Sequence, residues 1–173
     1  MRVLFRNVTL QDLTMLCVHR NMVSTRKWLE NERLINKVDQ LAWFERGGGR
    51  DFKIVESDLG QPLGLARIAS ISDLETQVGF DLFQEFRGKG LGKFIFSRIV
   101  ELASEQGALL SLWVFVENEA AVKIYKSLGF TFDRTVSPKF LAREWDETGT
   151  VYEYRYMILK RGSTSLPKAP LRG

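Results

Sequence analysis

The sequence predicts an α+β domain in which strands and amphipathic helices alternate around a central sheet. The side chains of Val78, Phe80 and Leu82 are apolar at every second position, as in a half-buried strand. After a glycine-rich turn, apolar residues recur at helical spacing, namely Leu91, Phe94, Ile95, Ile99, Leu102 and Ala103. The chain has 173 residues, which is a length typical of one domain, and it contains no internal repeat.

Strand and helix patterns also alternate before this central stretch. Residues 2–7 are expected to form a strand. Thr9 and Asp12 resemble a capping box at the start of a helix that ends near Asn21. The other elements expected in this half are helices at Ser24–Glu32 and Val38–Glu45 and strands at Phe52–Glu56 and Leu63–Ser70.

The same alternation continues to the end of the chain. Gly107 is expected to end the helix that follows the glycine-rich turn. Asn118 is a good N-cap for a further helix, which Gly129 would end. The other expected elements are strands at Leu109–Val116, Thr131–Val136 and Val151–Leu159, with a loop at residues 138–149.

The net charge of +4 arises at the C-terminal end of the chain. Lys160, Arg161, Lys168 and Arg172 lie in the last fourteen residues, where there is no acid. Subtracting these four from 25 basic residues leaves 21, against 21 acidic residues, so the body is neutral and nucleic acid is not an expected partner. Residues 162–173 contain two prolines and little to bury, which predicts a flexible basic tail after a domain at residues 1–161.

The cysteine content and the hydropathy of the sequence indicate the cellular compartment. The single cysteine, Cys17, excludes an internal disulfide and fits a reducing cytoplasm. No apolar run reaches the ~20 residues of a membrane span, and the N-terminus lacks the core of a signal peptide. With one histidine and one cysteine, the chain has too few ligands for the usual zinc sites. We therefore expect a cytoplasmic protein with no membrane partner and no metal.

The stretch Arg87–Lys93 combines three glycines with cations at the start of a predicted helix. Glycine lets backbone N–H groups approach a ligand closely, and a helix N-terminus adds unpaired donors with partial positive charge. These features favour a bound phosphate or pyrophosphate. Neither common nucleotide signature fits, because Lys93 precedes Phe94 rather than Ser or Thr and the glycines are spaced G-x-G-x-G.

Two motifs resemble those of the GCN5-related N-acetyltransferase (GNAT) family. The first is Arg-x-x-Gly-x-Gly, formed by Arg87, Gly90 and Gly92. The second is N-x-x-A-x-x-hydrophobic-Y-x-x-x-G-F, which extends from Asn118 to Phe130. The two motifs stand in the family's order, with a predicted strand between them.

The resemblance implies a fold and a co-substrate. The implied fold is a twisted, mostly antiparallel sheet of six to seven strands, splayed between the fourth and fifth strands, with helices on both faces. Acetyl-CoA would lie in the gap with its pyrophosphate on the glycine-rich loop, the Arg87 and Lys89 side chains at the rim, and the Leu82 N–H near the thioester oxygen. The implied coenzyme-binding residues are Phe80, Leu82, Arg87, Gly88, Lys89, Gly90, Leu91, Gly92, Lys93, Asn118 and Tyr125.

The resemblance also implies a general acid at Tyr125, which would protonate the leaving thiolate. A phenol with a pKa near ~10 is protonated at neutral pH, as such a donor must be. The base is left open: Glu75 is the carboxylate nearest to the family's usual spacing, Asp81 is an alternative, and a neutral amine needs no base. Asn118 could contact the pantetheine or only cap its helix.

The expected activity is acetyl transfer from acetyl-CoA to a primary amine, by direct attack in a ternary complex. A looser likeness around Arg20, Asn21 and Arg26 resembles the branch with ribosomal-protein, polyamine and amino-sugar-nucleotide acetyltransferases. An amino-sugar nucleotide or another small amine is the first acceptor considered, and a protein N-terminus is the second. A non-catalytic coenzyme-A-binding module, transfer of a longer acyl group, and a homodimeric assembly are left open.

Overall fold

A computed structural model describes residues 2–105 and 109–160, which form one mixed sheet flanked by helices. The strands of this part of the chain are β1 Val3–Asn7, β2 Phe52–Ser57, β3 Pro62–Ser70, β4 Glu75–Leu82, β5 Leu109–Phe115, β6 Thr131–Phe132, β7 Lys139–Ala142 and β8 Val151–Lys160. Its helices are α1 Leu13–Asn21, α2 Val23–Arg26, α3 Lys37–Glu45, α4 Leu91–Ala103 and α5 Glu119–Ser127.

The strand order is β1-β2-β3-β4-β5-β8-β6, and β7 lies on the same edge of β8 as β6. All described pairings are antiparallel except the one between β4 and β5. The predicted α+β fold with a mostly antiparallel sheet is confirmed. The described sheet has eight strands rather than six to seven, because β7 falls in residues 138–149, where the sequence predicted a loop.

Other elements differ from the prediction in length. The helix expected at Ser24–Glu32 stops at Arg26, and the carbonyls that follow it accept hydrogen bonds from a distant arginine instead of continuing the helix. The strand expected at Thr131–Val136 has only two residues, because the Asp133 carboxylate turns the chain by accepting from the Thr135 N–H and hydroxyl. The predictions for Gly107 and for residues 162–173 lie outside the described residues.

The sheet carries an apolar core on each face. Side chains alternate between the two faces of a strand. On the face covered by α4 and α5, the buried residues include Val78, Ile95 and Leu112. On the face covered by α1 and α3, they include Leu16 and Ile54. Helices therefore flank both faces, as the resemblance implied.

Strands β4 and β5 pair over a short distance and then separate. Their parallel register runs from Glu75 opposite Leu109 to Gln77 opposite Ser111. Beyond Gln77, β4 continues to pair with β3 up to Leu82, but it no longer pairs with β5. This is the predicted splay between the fourth and fifth strands, and it opens a gap at the carboxyl ends of both.

Candidate active site

The loop between β4 and α4 presents a row of backbone N–H groups. Gly88 and Gly90 have φ angles of +73° and +75°, a left-handed conformation that glycine adopts without strain. In the described structure, no acceptor is bonded to the N–H groups of residues 88–93, whereas the Arg87 N–H donates to the Gln84 carbonyl at 3.2 Å. Unpaired donors at the start of a helix form a site for an anion.

The Arg87 side chain turns inward, so the expectation that it lies at the rim is wrong. Its Nε donates to the Leu82 carbonyl at 2.7 Å and its Nη1 to the Ser24 carbonyl at 3.0 Å. Its Nη2 donates to Thr25 Oγ1 at 2.8 Å and to Asp81 Oδ1 at 3.1 Å. The guanidinium therefore fastens the loop to β4 and α2, and it is not a free charge at the surface.

Lys89 and Lys93 supply the exposed cations of this loop. The Lys89 Nζ lies 5.5 Å from the centroid of the Phe86 ring, and Lys93 lines the cavity together with Leu91. Both lysine side chains are exposed. They keep positive charge beside the unbonded N–H groups.

Backbone groups of Phe80 and Leu82 face the gap between β4 and β5. The Phe83 N–H donates to the Leu63 carbonyl at 2.9 Å, so Phe83 is hydrogen-bonded to β3. In an antiparallel ladder, residues bonded to one neighbour alternate with residues that face the other way. Phe80 and Leu82 therefore direct their backbone groups toward the separated β5, although Arg87 occupies the Leu82 carbonyl.

Tyr125 lies on α5 at the edge of the apolar core and lines the cavity. Its ring centroid is 4.7 Å from that of Phe96 and 6.2 Å from that of Phe130. Burial raises the pKa of Tyr125, and the charges of Tyr154 and Asp81 add to the effect. Its hydroxyl is thus protonated at neutral pH, and it has no hydrogen-bond partner among the described residues.

Asn118 caps α5, because its Oδ1 accepts from the Ala121 N–H at 3.3 Å. The same residue lines the cavity. Asn118 therefore caps its helix, and its position in the cavity lining also allows it to contact a ligand.

The two candidate bases lie at opposite ends of β4. Glu75 begins the strand, and its Oε1 accepts from Ser111 Oγ at 2.6 Å and from the Tyr156 hydroxyl. Asp81 lies at the open end and lines the cavity, whereas Glu75 is not among the lining residues of the described structure. At about 3.3 Å per strand residue, the two are about 20 Å apart. The geometry therefore favours Asp81 over Glu75 as the candidate base.

A histidine that the sequence analysis did not single out contacts Asp81. The His19 Nε2 lies 2.9 Å from Asp81 Oδ2 and 3.3 Å from Thr25 Oγ1. His19 is buried, and its ring centroid is 4.4 Å from that of Phe83. Its only sequence signal is that it is the single histidine, since nothing local connects it to an aspartate 62 residues away.

A cavity of about 1140 Å³ joins the gap to the face of the sheet covered by α1 and α3. We call its part on that face the side chamber, and define it by Arg20, Arg67, Gln77, Gly79 and Trp113. The volume slightly exceeds the ~300–1,000 Å³ common for single-ligand sites. It has room for a second ligand beside one in the gap.

In residues 2–105 and 109–160, no group of three or more His, Cys, Asp or Glu side chains is arranged to hold a metal ion. Within the same ranges, none of the helices has both the length and the apolar character needed to cross a bilayer.

Comparison with known families identifies the class of the protein as acetyltransferase. The sequence profile of the acetyltransferase (GNAT) family matches residues 19–130, which is more than half of the chain. The chain therefore belongs to the acetyltransferase (GNAT) family. The resemblance inferred from the two motifs is confirmed, and the prediction of an acetyltransferase is confirmed at the level of the family.

Two curated relatives are also called N-acetyltransferases. The uncharacterized N-acetyltransferase YdgE of Bacillus subtilis is 29% identical over 137 residues, which cover 73% of this chain and 83% of YdgE. The uncharacterized N-acetyltransferase MJ1207 of Methanocaldococcus jannaschii is 34% identical over 79 residues, or 41% of this chain. The chain spans 35% of the length of MJ1207.

Solved structures share the fold at low sequence identity. The spermidine N-acetyltransferase of Vibrio cholerae in complex with CoA and spermine has a TM-score of 0.75 at 18% identity, covering 92% of this chain and 95% of that one. The ribosomal-protein-alanine N-acetyltransferase of Brucella melitensis has a TM-score of 0.67 at 20% identity, covering 91% and 99%. These similarities establish the fold alone.

Proposed function

We propose that this protein transfers the acetyl group of acetyl-CoA to the primary amine of a small molecule. The observation that carries the proposal is the row of unbonded N–H groups at residues 88–93, next to the gap between β4 and β5. A pyrophosphate requires such donors, and an extended pantetheine requires unpaired strand backbone. Family membership and the CoA present in the Vibrio cholerae neighbour support the same co-substrate.

The coenzyme fits residues on both sides of the gap. Gly88–Lys93 would hold the pyrophosphate through backbone N–H groups, and Lys89 would add charge. The backbone of Phe80 and the N–H of Leu82 would bond the pantetheine, with Asn118 across the gap. When bound, acetyl-CoA supplies an acetyl group activated as a thioester.

Tyr125 and Asp81 would move the protons of the reaction. The amine must lose a proton to attack, and the coenzyme sulfur must gain one to leave. Tyr125 is a protonated phenol without a competing acceptor, so its Oη can donate to the sulfur. Asp81, paired with His19, is the carboxylate positioned to accept the amine proton directly or through water. Glu75, on which the sequence analysis placed the base first, would instead orient Tyr156.

The acceptor would bind in the side chamber as a small amine, and an amino-sugar nucleotide is the first example to test. Arg143 fixes the segment at residues 27–30, part of which lines the cavity, by donating to its carbonyls. A chamber bordered by a fixed segment suits a small molecule better than a protein N-terminus, which needs an open groove.

The proposal is tested by measuring thiol release from acetyl-CoA with a panel of primary amines. Turnover should require both substrates and should yield the N-acetylated amine by mass spectrometry. A variant with Gly90→Asp, which places a negative side chain among the free N–H groups, is the matched inactive control. Tight CoA binding with no turnover of any amine would instead support a non-catalytic binding module.

A further inference from the structure

We infer that the acceptor amine carries an anionic oxygen group, a carboxylate or a phosphate, and that Arg67 binds this group in the side chamber. The inference rests on the proposed function, because it names the chemical class of the second substrate. It follows from how charges are paired along the cavity wall.

Arg67 is a half-buried cation without a counter-ion. It projects from β3 opposite Gly79, and its Nη1 donates to the neutral amide oxygen of Gln77. It forms no ion pair with any described carboxylate. Arg67 borders the cavity, and its only hydrogen-bond partner in the described residues is a neutral amide, so its guanidinium can receive a negative group there.

Space for that group lies directly beside the guanidinium. Gly79 faces the chamber without a side chain, and a Cβ built there would meet no atom nearer than Arg67 Cβ, at 3.6 Å. Phe52, the neighbour of Arg67 on β2, and Trp113 on β5 line the same cavity with aromatic rings. A small ligand can therefore approach Arg67 over the bare backbone of Gly79.

Other arginines border the same cavity without acidic partners. Arg20, Arg33 and Arg46 line the same cavity, and none of them is ion-paired within the described residues. Arg20 donates only to carbonyls, of Arg33 and Asn31, both at 2.7 Å. Burial, together with the nearby Arg26 charge, lowers the pKa of Arg20, as expected for a cation without a counter-ion.

The acids along the cavity are already engaged by the protein. Glu30 pairs with Lys139 at 2.6 Å. Asp81 contacts both His19 and Arg87, and Asp39 accepts from the Asn36 N–H at 3.0 Å as part of the cap of α3. A polycation would find several unpaired arginines and few free carboxylates. The likeness in fold to a spermidine acetyltransferase therefore does not extend to the charge of the acceptor.

The coenzyme phosphates are not positioned to pair with the Arg67 guanidinium. Arg67 lies on the face of the sheet that carries Asp81 and packs against α1 and α3, since cross-strand partners share a face. The glycine-rich loop begins α4, which packs on the opposite face. Gly79 also precedes the end of β4 by three residues, or about 10 Å.

Matched amines that differ in charge test the inference. 4-Aminobutyrate is compared with butylamine and putrescine, and glucosamine 6-phosphate with glucosamine, by kcat/KM. The kcat/KM of at least one anionic amine should exceed that of its neutral partner by tenfold or more. A preference for 4-aminobutyrate would indicate a carboxylate, and a preference for glucosamine 6-phosphate would indicate a phosphate. Arg67→Gln should abolish that preference, whereas Arg134→Gln, at an exposed position outside the cavity, should preserve it. An equal or better rate with neutral or cationic amines would overturn the inference.

A binding measurement separates failure of this inference from failure of the proposed function. Calorimetry with the two anionic probes is performed on protein saturated with CoA, so that the glycine-rich loop is already filled. Binding that is lost in Arg67→Gln, with CoA affinity and melting temperature unchanged, supports the inference. Absence of binding by both probes, or binding indifferent to Arg67, overturns it. Absence of CoA binding by the unmodified protein overturns the proposed function itself.

Discussion

Arg87 donates from Nη2 to Asp81 Oδ1 at 3.1 Å, and this contact joins the glycine-rich loop to the carboxyl end of β4. The other oxygen of the same carboxylate contacts His19 at 2.9 Å. The glycine-rich loop, the end of β4 and His19 on α1 therefore share one hydrogen-bond network. A substitution in this network should affect the binding of both substrates.

Arg87→Met should raise the KM for acetyl-CoA by about tenfold, or about 1.4 kcal/mol, because the loop loses its attachment to Leu82 and α2. The matched control is Lys89→Met, which removes an exposed cation of the same loop and should change KM only severalfold. Steady-state kinetics measure both. Equal effects of the two variants would show that the charge of the loop, and not its attachment to Leu82 and α2, determines the KM for acetyl-CoA.

Gly90→Asp should abolish CoA binding, because a carboxylate would lie among the donors of residues 88–93. The control is Gly60→Asp, in a turn between β2 and β3 where φ is also +75° and where a Cβ would likewise meet no atom within 4 Å. The two variants carry the same backbone strain and the same added charge. Calorimetry should detect CoA binding for Gly60→Asp alone, and loss of binding in both would contradict the assignment of the loop.

Tyr125→Phe should lower kcat by about 10²-fold or more, with CoA affinity nearly unchanged, because only the proton donor is removed. Tyr152→Phe removes a hydroxyl outside the cavity and should leave kcat unchanged. Because burial raises the pKa of Tyr125, the loss of activity at high pH should not follow a phenol titrating near ~10. Unchanged turnover in Tyr125→Phe would refute the assignment of the acid.

Asp12 should contribute to the loss of stability in acid. Hydrogen bonds from Arg6 and from Thr9 lower the pKa of this carboxyl in the folded protein. Its contribution is therefore present above the unfolded value of ~3.9 and is lost as the pH falls through the lowered folded value. The free energy of unfolding, measured with urea, should fall less between pH ~6 and pH ~2.5 for Asp12→Asn than for the unmodified protein. It should also fall less than for Asp73→Asn, a substitution at an exposed site. Equal declines would contradict this assignment.

The parts of the site that could be predicted from sequence are those made by neighbouring residues. The strand that ends at Leu82, the glycine-rich turn and the cap at Asn118 each depend on local backbone chemistry, and each lies where the sequence placed it. The roles assigned to these residues remain predictions. Their positions followed from spacing because glycine and asparagine have specific preferences at helix starts.

The parts that could not be predicted depend on contacts between distant segments. Arg87 was expected at the rim, yet its partners in α2 lie more than sixty residues earlier in the chain, at separations of 62 and 63. The strand β7 pairs with the free edge of β8, and its four residues are too few to show a strand pattern in the sequence. Spacing rules describe neighbours along the chain, and they carry no information on such tertiary partners.

The contacts of Arg143 with a distant segment should contribute strongly to the free energy of unfolding. Arg143 is buried and donates to the carbonyls of Lys27 and Leu29, and its Nε lies 4.0 Å from the buried carboxylate of Glu32. Arg143→Met should lower the free energy of unfolding by about 3 kcal/mol, because the carbonyls of Lys27 and Leu29 lose their donor and the buried Glu32 carboxylate loses the nearby Arg143 charge. Urea denaturation should show partial recovery when Glu32→Gln is added. A loss within ~0.5 kcal/mol would contradict this account.

The central claim is that the N–H groups of residues 88–93 bind the pyrophosphate of the coenzyme. It is tested most directly by following backbone amide resonances of isotopically labelled protein during titration with CoA. The account predicts that the largest saturable shifts occur at Gly88, Gly90 and Gly92, with further shifts at Phe80 and Leu82 and none at residues 57–61. Binding of CoA that leaves the glycine-rich loop unshifted, or no binding at all, would contradict it.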